Sequence, residues 1–100
     1  MSRSEITLEL TGLLARAGSR NEVRFPAEGS LQIGDVLAQL VREFPVTAEI
    51  LGSETRLTAE DGNLPSGLMI IRDGSVLPFR LETMVSPGDR LMVMPLISGG

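Results

Sequence analysis

The chain has 100 residues, 42% of them hydrophobic and 22% charged, with a formal net charge of −4. That composition suits one folded domain with a single core. It has no Cys and no His, and all nine basic residues are Arg, which excludes disulfides, thiolate nucleophiles, imidazole bases, Cys or His metal sites and lysine Schiff bases.

Acidic and basic residues are interspersed, and Tyr and Trp are absent, so neither a basic patch nor stacking residues speak for nucleic-acid binding. No apolar run approaches the ~20 residues of a membrane span. Met1-Ser2-Arg3-Ser4-Glu5 leads into an alternating pattern, not into the solid apolar stretch of a signal peptide. A cytoplasmic protein, free of membrane, is the expectation.

Ile6, Leu8 and Leu10 alternate with Thr7, Glu9 and Thr11, the pattern of a half-buried strand. Gly12 to Gly18 follows as an irregular or one-turn helical connector. Glu22-Val23-Arg24-Phe25 reads as a second strand ended by Pro26, and its nearness in sequence predicts an antiparallel hairpin with the first. Ile33, Val36, Leu37, Leu40, Val41 and Phe44 then form a helical stripe, with Asp35 in the first turn, Arg42 in the last and Pro45 as the stop.

Val46 to Gly67 is the least regular part. Thr47 is placed to cap a short turn through Ala48-Glu49-Ile50-Leu51, and Arg56-Leu57-Thr58 reads as a short strand. Turn chemistry follows at Asp61-Gly62-Asn63 and Pro65-Ser66-Gly67. Leu68-Met69-Ile70-Ile71 predicts a strand, turned by Asp73-Gly74 into another at Val76-Leu77-Pro78-Phe79. Ser86-Pro87-Gly88-Asp89 is a tight turn before a last strand at Leu91-Met92-Val93-Met94. This order is α+β, a mixed sheet with one main helix across one face.

That last strand does not alternate. With Leu91 and Val93 turned to the helix, Met92 and Met94 point outward, and flexible, polarizable methionines suit an adaptable partner surface. A central strand covered on both sides by the Val46–Gly67 segment, or plain gap-filling core, is the other reading. The chain then ends Pro95-Leu96-Ile97-Ser98-Gly99-Gly100. Two residues without Cβ make an unhindered carboxyl end able to thread a narrow channel, and the five residues from Leu96 reach roughly 16 Å when extended.

These segments together resemble the MoaD/ThiS family of ubiquitin-like sulfur carriers. Leu8 to Gly18 is similar to its opening strand and connector, Gln32-Ile33-Gly34-Asp35-Val36-Leu37 to the start of its helix, and Ser86 to Leu91 with Pro95 to Gly100 to its closing turn, strand and tail. Two positions depart from the pattern: Gln32 stands where a Ser or Thr cap is usual, and Arg72-Asp73-Gly74 where an aliphatic-Asn-Gly turn is common.

The resemblance implies a ubiquitin-like β-grasp fold, with residues 1–95 as the domain and 96–100 as a flexible Gly-Gly tail. It implies a non-enzyme. A ubiquitin-activating-type partner would use ATP and Mg²⁺ to adenylate the Gly100 carboxylate, and a sulfur donor would convert the product to a thiocarboxylate. An acceptor enzyme, such as a molybdopterin synthase large subunit, would take the sulfur. No cofactor is expected on the chain itself. Gly100 would carry the chemistry and Gly99 would give clearance, while Met92, Met94, Pro95, Leu96, Ile97 and Ser98 would touch partners. The length and opening segment favour the MoaD-like role in molybdenum cofactor biosynthesis. The alternatives are a related carrier for thiamin, cysteine or tRNA thiolation, a ubiquitin-like protein modifier, and a β-grasp interaction module.

Overall fold

The computed structural model describes residues 5–59, 62–65 and 67–96. Strand β1 (Glu5–Leu10) buries Ile6, Leu8 and Leu10, as its alternation requires. Helix α1 (Gly12–Gly18) is a fuller element than a one-turn connector. Gly12 opens it at φ +56°, and Ser19 ends it in the left-handed region at φ +55°. Leu14 holds the helix down in the core. Strand β2 (Glu22–Pro26) returns antiparallel to β1, with Leu8 opposite Val23 and Ile6 opposite Phe25.

A two-residue strand β3 (Leu31–Gln32) leads into helix α2 (Ile33–Glu43). Ile33, Val36, Leu37, Leu40 and Val41 are all buried, so the stripe lies against the sheet as the spacing predicts. Gln32 makes no side-chain cap. Instead, the Ile33 and Gly34 amides donate to the carbonyls of Thr83 and Leu81 at 2.8 and 2.9 Å. Backbone carbonyls thus satisfy the first orphan N–H groups of the helix, and a Ser or Thr cap is unnecessary.

The segment after Pro45 is more helical than its sequence suggests. A 3₁₀ turn (Pro45–Thr47) runs into α3 (Ala48–Leu51), followed by α4 (Glu54–Leu57). Thr47 caps nothing: its hydroxyl turns back and donates to the Phe44 carbonyl at 2.6 Å. Arg56-Leu57-Thr58 is not a strand: Arg56 and Leu57 end α4, and Thr58 is its C-cap. Ser53 caps that helix by accepting the Arg56 amide at 3.2 Å, Glu54 sits in the first turn, and Leu57 is buried. Three residues gain more from that cap and one buried leucine than from a pairing with no neighbour.

Strand β4 (Leu68–Arg72) turns through Asp73 (φ +50°) and Gly74 (φ +80°) into β5 (Ser75–Val76). Two left-handed residues in a row suit the tight hairpin, and the sequence Asp-Gly provides for them. The expected strand over Val76–Phe79 stops at Val76; only the Leu77 amide, donating to Ile70 at 2.8 Å, extends the pairing, because Pro78 brings no N–H. Strand β6 (Met84–Val85) pairs with β3 in a separate ribbon, and β7 (Arg90–Pro95) closes the fold.

The main sheet runs in the order β2-β1-β7-β4-β5. β7 lies at its centre, parallel to β1 and antiparallel to β4. With α2 across one face, this is the ubiquitin-like β-grasp architecture. Arg72, one of the departures from the family pattern, ties β4 to the Ser86–Asp89 turn: its Nη1 donates to Asp89 Oδ2 at 3.2 Å and to the Met84 carbonyl at 3.3 Å. Among the described residues no helix is long and apolar enough to cross a membrane.

Candidate functional site

Each strand of the main sheet presents alternate residues to α2 and to the opposite face. On β7, Leu91 and Val93 are fully buried, while Met92 and Met94 are only half-buried. The described part of the Val46–Gly67 segment does not roof them, since its α3 and α4 pack on α2. Register extends the row: Met94 lies opposite Met69, Met92 opposite Ile71, and Ile71 opposite Val76. The open face therefore carries an apolar patch of Met69, Ile71, Val76, Met92 and Met94, with Val76 50% exposed. Sequence reading found the two methionines of β7 but not their neighbours on β4. The signal was there, since Leu68-Met69-Ile70-Ile71 is apolar at both parities, as β7 is.

Beside the patch, the same face turns ionic. Arg90 donates through Nε to Glu9 Oε1 at 2.6 Å and through Nη2 to Glu22 Oε1 at 2.9 Å. Arg24 Nε reaches Glu22 Oε2 at 2.9 Å. Hydrogen bonds from Arg24 first and Arg90 second hold the Glu22 carboxyl below its ordinary value of 4.5. Those to Glu9 and Glu22 push the Arg90 guanidinium up. None of these residues was singled out from sequence. They come from β1, β2 and β7, and only the sheet order brings them together.

Arg90 borders two open depressions. One of about 160 Å³ is lined by Glu9, Ile71, Asp73, Gly74, Arg90 and Met92. The other, about 220 Å³, is lined by Glu5, Thr7, Arg24, Gly88 and Arg90. Both fall below the roughly 300–1,000 Å³ of pockets that enclose small molecules. A half-exposed apolar patch with a polar border has the make-up of a protein-docking surface.

The chain leaves the sheet at the end of β7 under firm backbone control. The Thr11 amide and hydroxyl both donate to the Val93 carbonyl, at 3.3 and 3.1 Å. Pro95, half-buried, lies opposite Leu68, and the Leu96 amide donates to the Gly67 carbonyl. Leu96 itself is 53% exposed. The remaining expected site residues, Ile97, Ser98, Gly99 and Gly100, lie outside the described residues. Among those described, no group of three or more carboxylates is gathered for a metal ion.

The model of the ThiS family matches residues 11–100. Among solved structures, SAMP1 from Haloferax volcanii is similar, with a TM-score of 0.72 and 26% identity over 96% of this chain and 99% of that one. The small archaeal modifier protein 1 of Methanosarcina acetivorans has a TM-score of 0.70 and 24% identity, covering 100% of both chains. A molybdopterin converting factor subunit 1, so named putatively, from Pyrococcus furiosus shares the fold at a TM-score of 0.67 and 10% identity, over 93% of this chain and 98% of that one. No curated protein matches the chain by sequence.

Proposed function

Since the chain belongs to the ThiS family, we propose that it is a sulfur carrier whose Gly100 carboxylate is the working group. A carboxylate is a poor electrophile until one oxygen becomes a leaving group. A ubiquitin-activating-type partner adenylates it with ATP and Mg²⁺, a sulfur donor displaces AMP, and the resulting thiocarboxylate gives its sulfur to an acceptor enzyme. The chain turns over nothing itself. Gly99 keeps the tail slim enough for the partner's channel, and Ile97 and Ser98 are contacts to the partner.

The observation that carries this reading is the continuity of β7. One strand bears Met92 and Met94 on the open face and ends at Pro95, and in sequence only five residues remain from there to the terminal glycine. Docking the apolar patch therefore fixes where the tail begins. Molybdopterin synthesis is our preferred acceptor pathway, supported by the length of the chain and by its opening segment.

A protein modifier is the second reading, favoured by the likeness to SAMP1. It uses the same activated glycine, joined to an amine instead of sulfur. One experiment separates the two: the intact mass of the protein after incubation with ATP, an activating enzyme and a sulfur donor. Exchange of one C-terminal oxygen for sulfur, lost without ATP and lost on deletion of Gly100, is the result expected for a carrier. Unchanged mass beside Gly100-linked conjugates in a lysate would favour the modifier.

A further inference from the structure

Arginine occupies every position where this chain bears a cationic side chain. Of the arginines among the described residues, all but Arg72 are exposed, so a lysine at almost any of them would offer its amine to a partner. Two hold exposed ion pairs to a single carboxylate, where charge is the main requirement: Arg42 with Glu54 at 2.8 Å and Arg24 with Glu22 at 2.9 Å. A guanidinium supplies that charge without a nucleophile, because it stays protonated at any physiological pH, whereas a lysine amine is in part free. Thiols are absent, and with no His there is no imidazole to activate a hydroxyl.

We propose that the chain is a donor-only acyl carrier: its activated glycine can be joined to an amine on another molecule, but no side chain of its own can receive one. Chains of copies linked through their own side chains then do not form. The inference rests on the activation of Gly100 described above and, for transfer to an amine, on the second of the two readings. In the transfer step, the lone pair of the acceptor amine attacks the Gly100 carbonyl carbon of the acyl-adenylate. The new C–N bond forms as the C–O bond to phosphate breaks, AMP leaves with the electron pair, and the amine sheds a proton to solvent. ATP and the adenylating enzyme supply the activation.

The test separates donor from acceptor. Isotope-labelled full chain is activated with ATP, Mg²⁺ and a ubiquitin-activating-type enzyme, in the presence of unlabelled acceptor chains lacking Gly99 and Gly100. The acceptors carry the natural sequence, Arg42→Lys or Arg80→Lys, each a conservative change at an exposed ion pair. Hydroxylamine, in a parallel reaction, traps the activated glycine as its hydroxamate. With hydroxamate formed, side-chain adducts, located by mass mapping of peptides, are expected on the lysine-bearing acceptors to exceed those on the natural acceptor by roughly tenfold or more. Equal side-chain adducts on the natural acceptor, for example through a hydroxyl, would overturn the inference. So would hydroxamate without adduct on either lysine variant. Failure to form hydroxamate at all would instead overturn the activation of Gly100, and the inference with it.

Discussion

The two faces of β7 are both apolar, yet they do different work. Leu91 and Val93 are sealed under α2 with Ile6, Leu8, Leu37 and Leu40, whereas Met92 and Met94 lie half-open with Met69, Ile71 and Val76. Polarity does not separate the rows; cover does. The side chains differ too, since the sealed row is built from branched aliphatics that pack tightly and the open row relies on methionine, which adapts to more than one partner. An apolar residue at the parity that should be polar thus marks a row that a single helical layer leaves uncovered.

Substitutions on the sealed side should cost the most. Leu40→Ala, at a fully buried site, is expected to lose about 2–5 kcal/mol in urea unfolding, a large share of a typical total of about 5–15 kcal/mol. A loss below about 1 kcal/mol would mean that α2 is not seated as described. Next comes Gly34→Ala, where a Cβ would collide with the Leu57 carbonyl and lie 3.1 Å from Leu81 Cβ. About 1–3 kcal/mol should be lost to the forced separation of α2 from α4. A neutral result would show that this contact yields easily.

The open side should behave in the opposite way. Met92→Asp is expected to change stability by no more than about 1 kcal/mol, while weakening binding to an activating or acceptor enzyme in a titration. Collapse of the fold would place Met92 in the core. The smallest effect belongs to the ionic border. Glu22 has its folded pKa lowered, so its contribution is present above its ordinary value of 4.5 and fades as pH falls through the lower folded value. The melting difference between Glu22→Gln and the natural chain should therefore be slight at neutral pH, shrink as pH falls below 4.5 and vanish only below the lowered folded value, and high salt should shrink it. A difference that grows in acid would reverse this assignment.

Much of the sealed side was legible in the sequence, because burial imposes periodicity: the α2 stripe and the alternation of β1 both predict their elements. The ribbon of β3 and β6 was not, as two residues carry no period and its role is to bring Thr83 and Leu81 carbonyls to the start of α2. Arg56-Leu57-Thr58 misleads as a strand because one buried leucine fits either period, and the Ser53 cap decides. On the open side, Met92 and Met94 announced themselves by breaking alternation. Their neighbours Met69 and Ile71 needed the register of β4 on β7. The Arg90–Glu9–Glu22 network joins residues 68 and 81 positions apart, a distance no local pattern bridges.

The most direct measurement is ATP–pyrophosphate exchange by an activating enzyme, titrated with the full chain, the chain lacking Gly100 and Met92→Asp, with the melting temperature of each. The account predicts exchange with the full chain and none after deletion of Gly100 at an unchanged melting temperature. For Met92→Asp it predicts a raised half-saturation concentration with the maximal rate retained. Undiminished exchange without Gly100 would contradict the assignment of the terminal glycine as the working group.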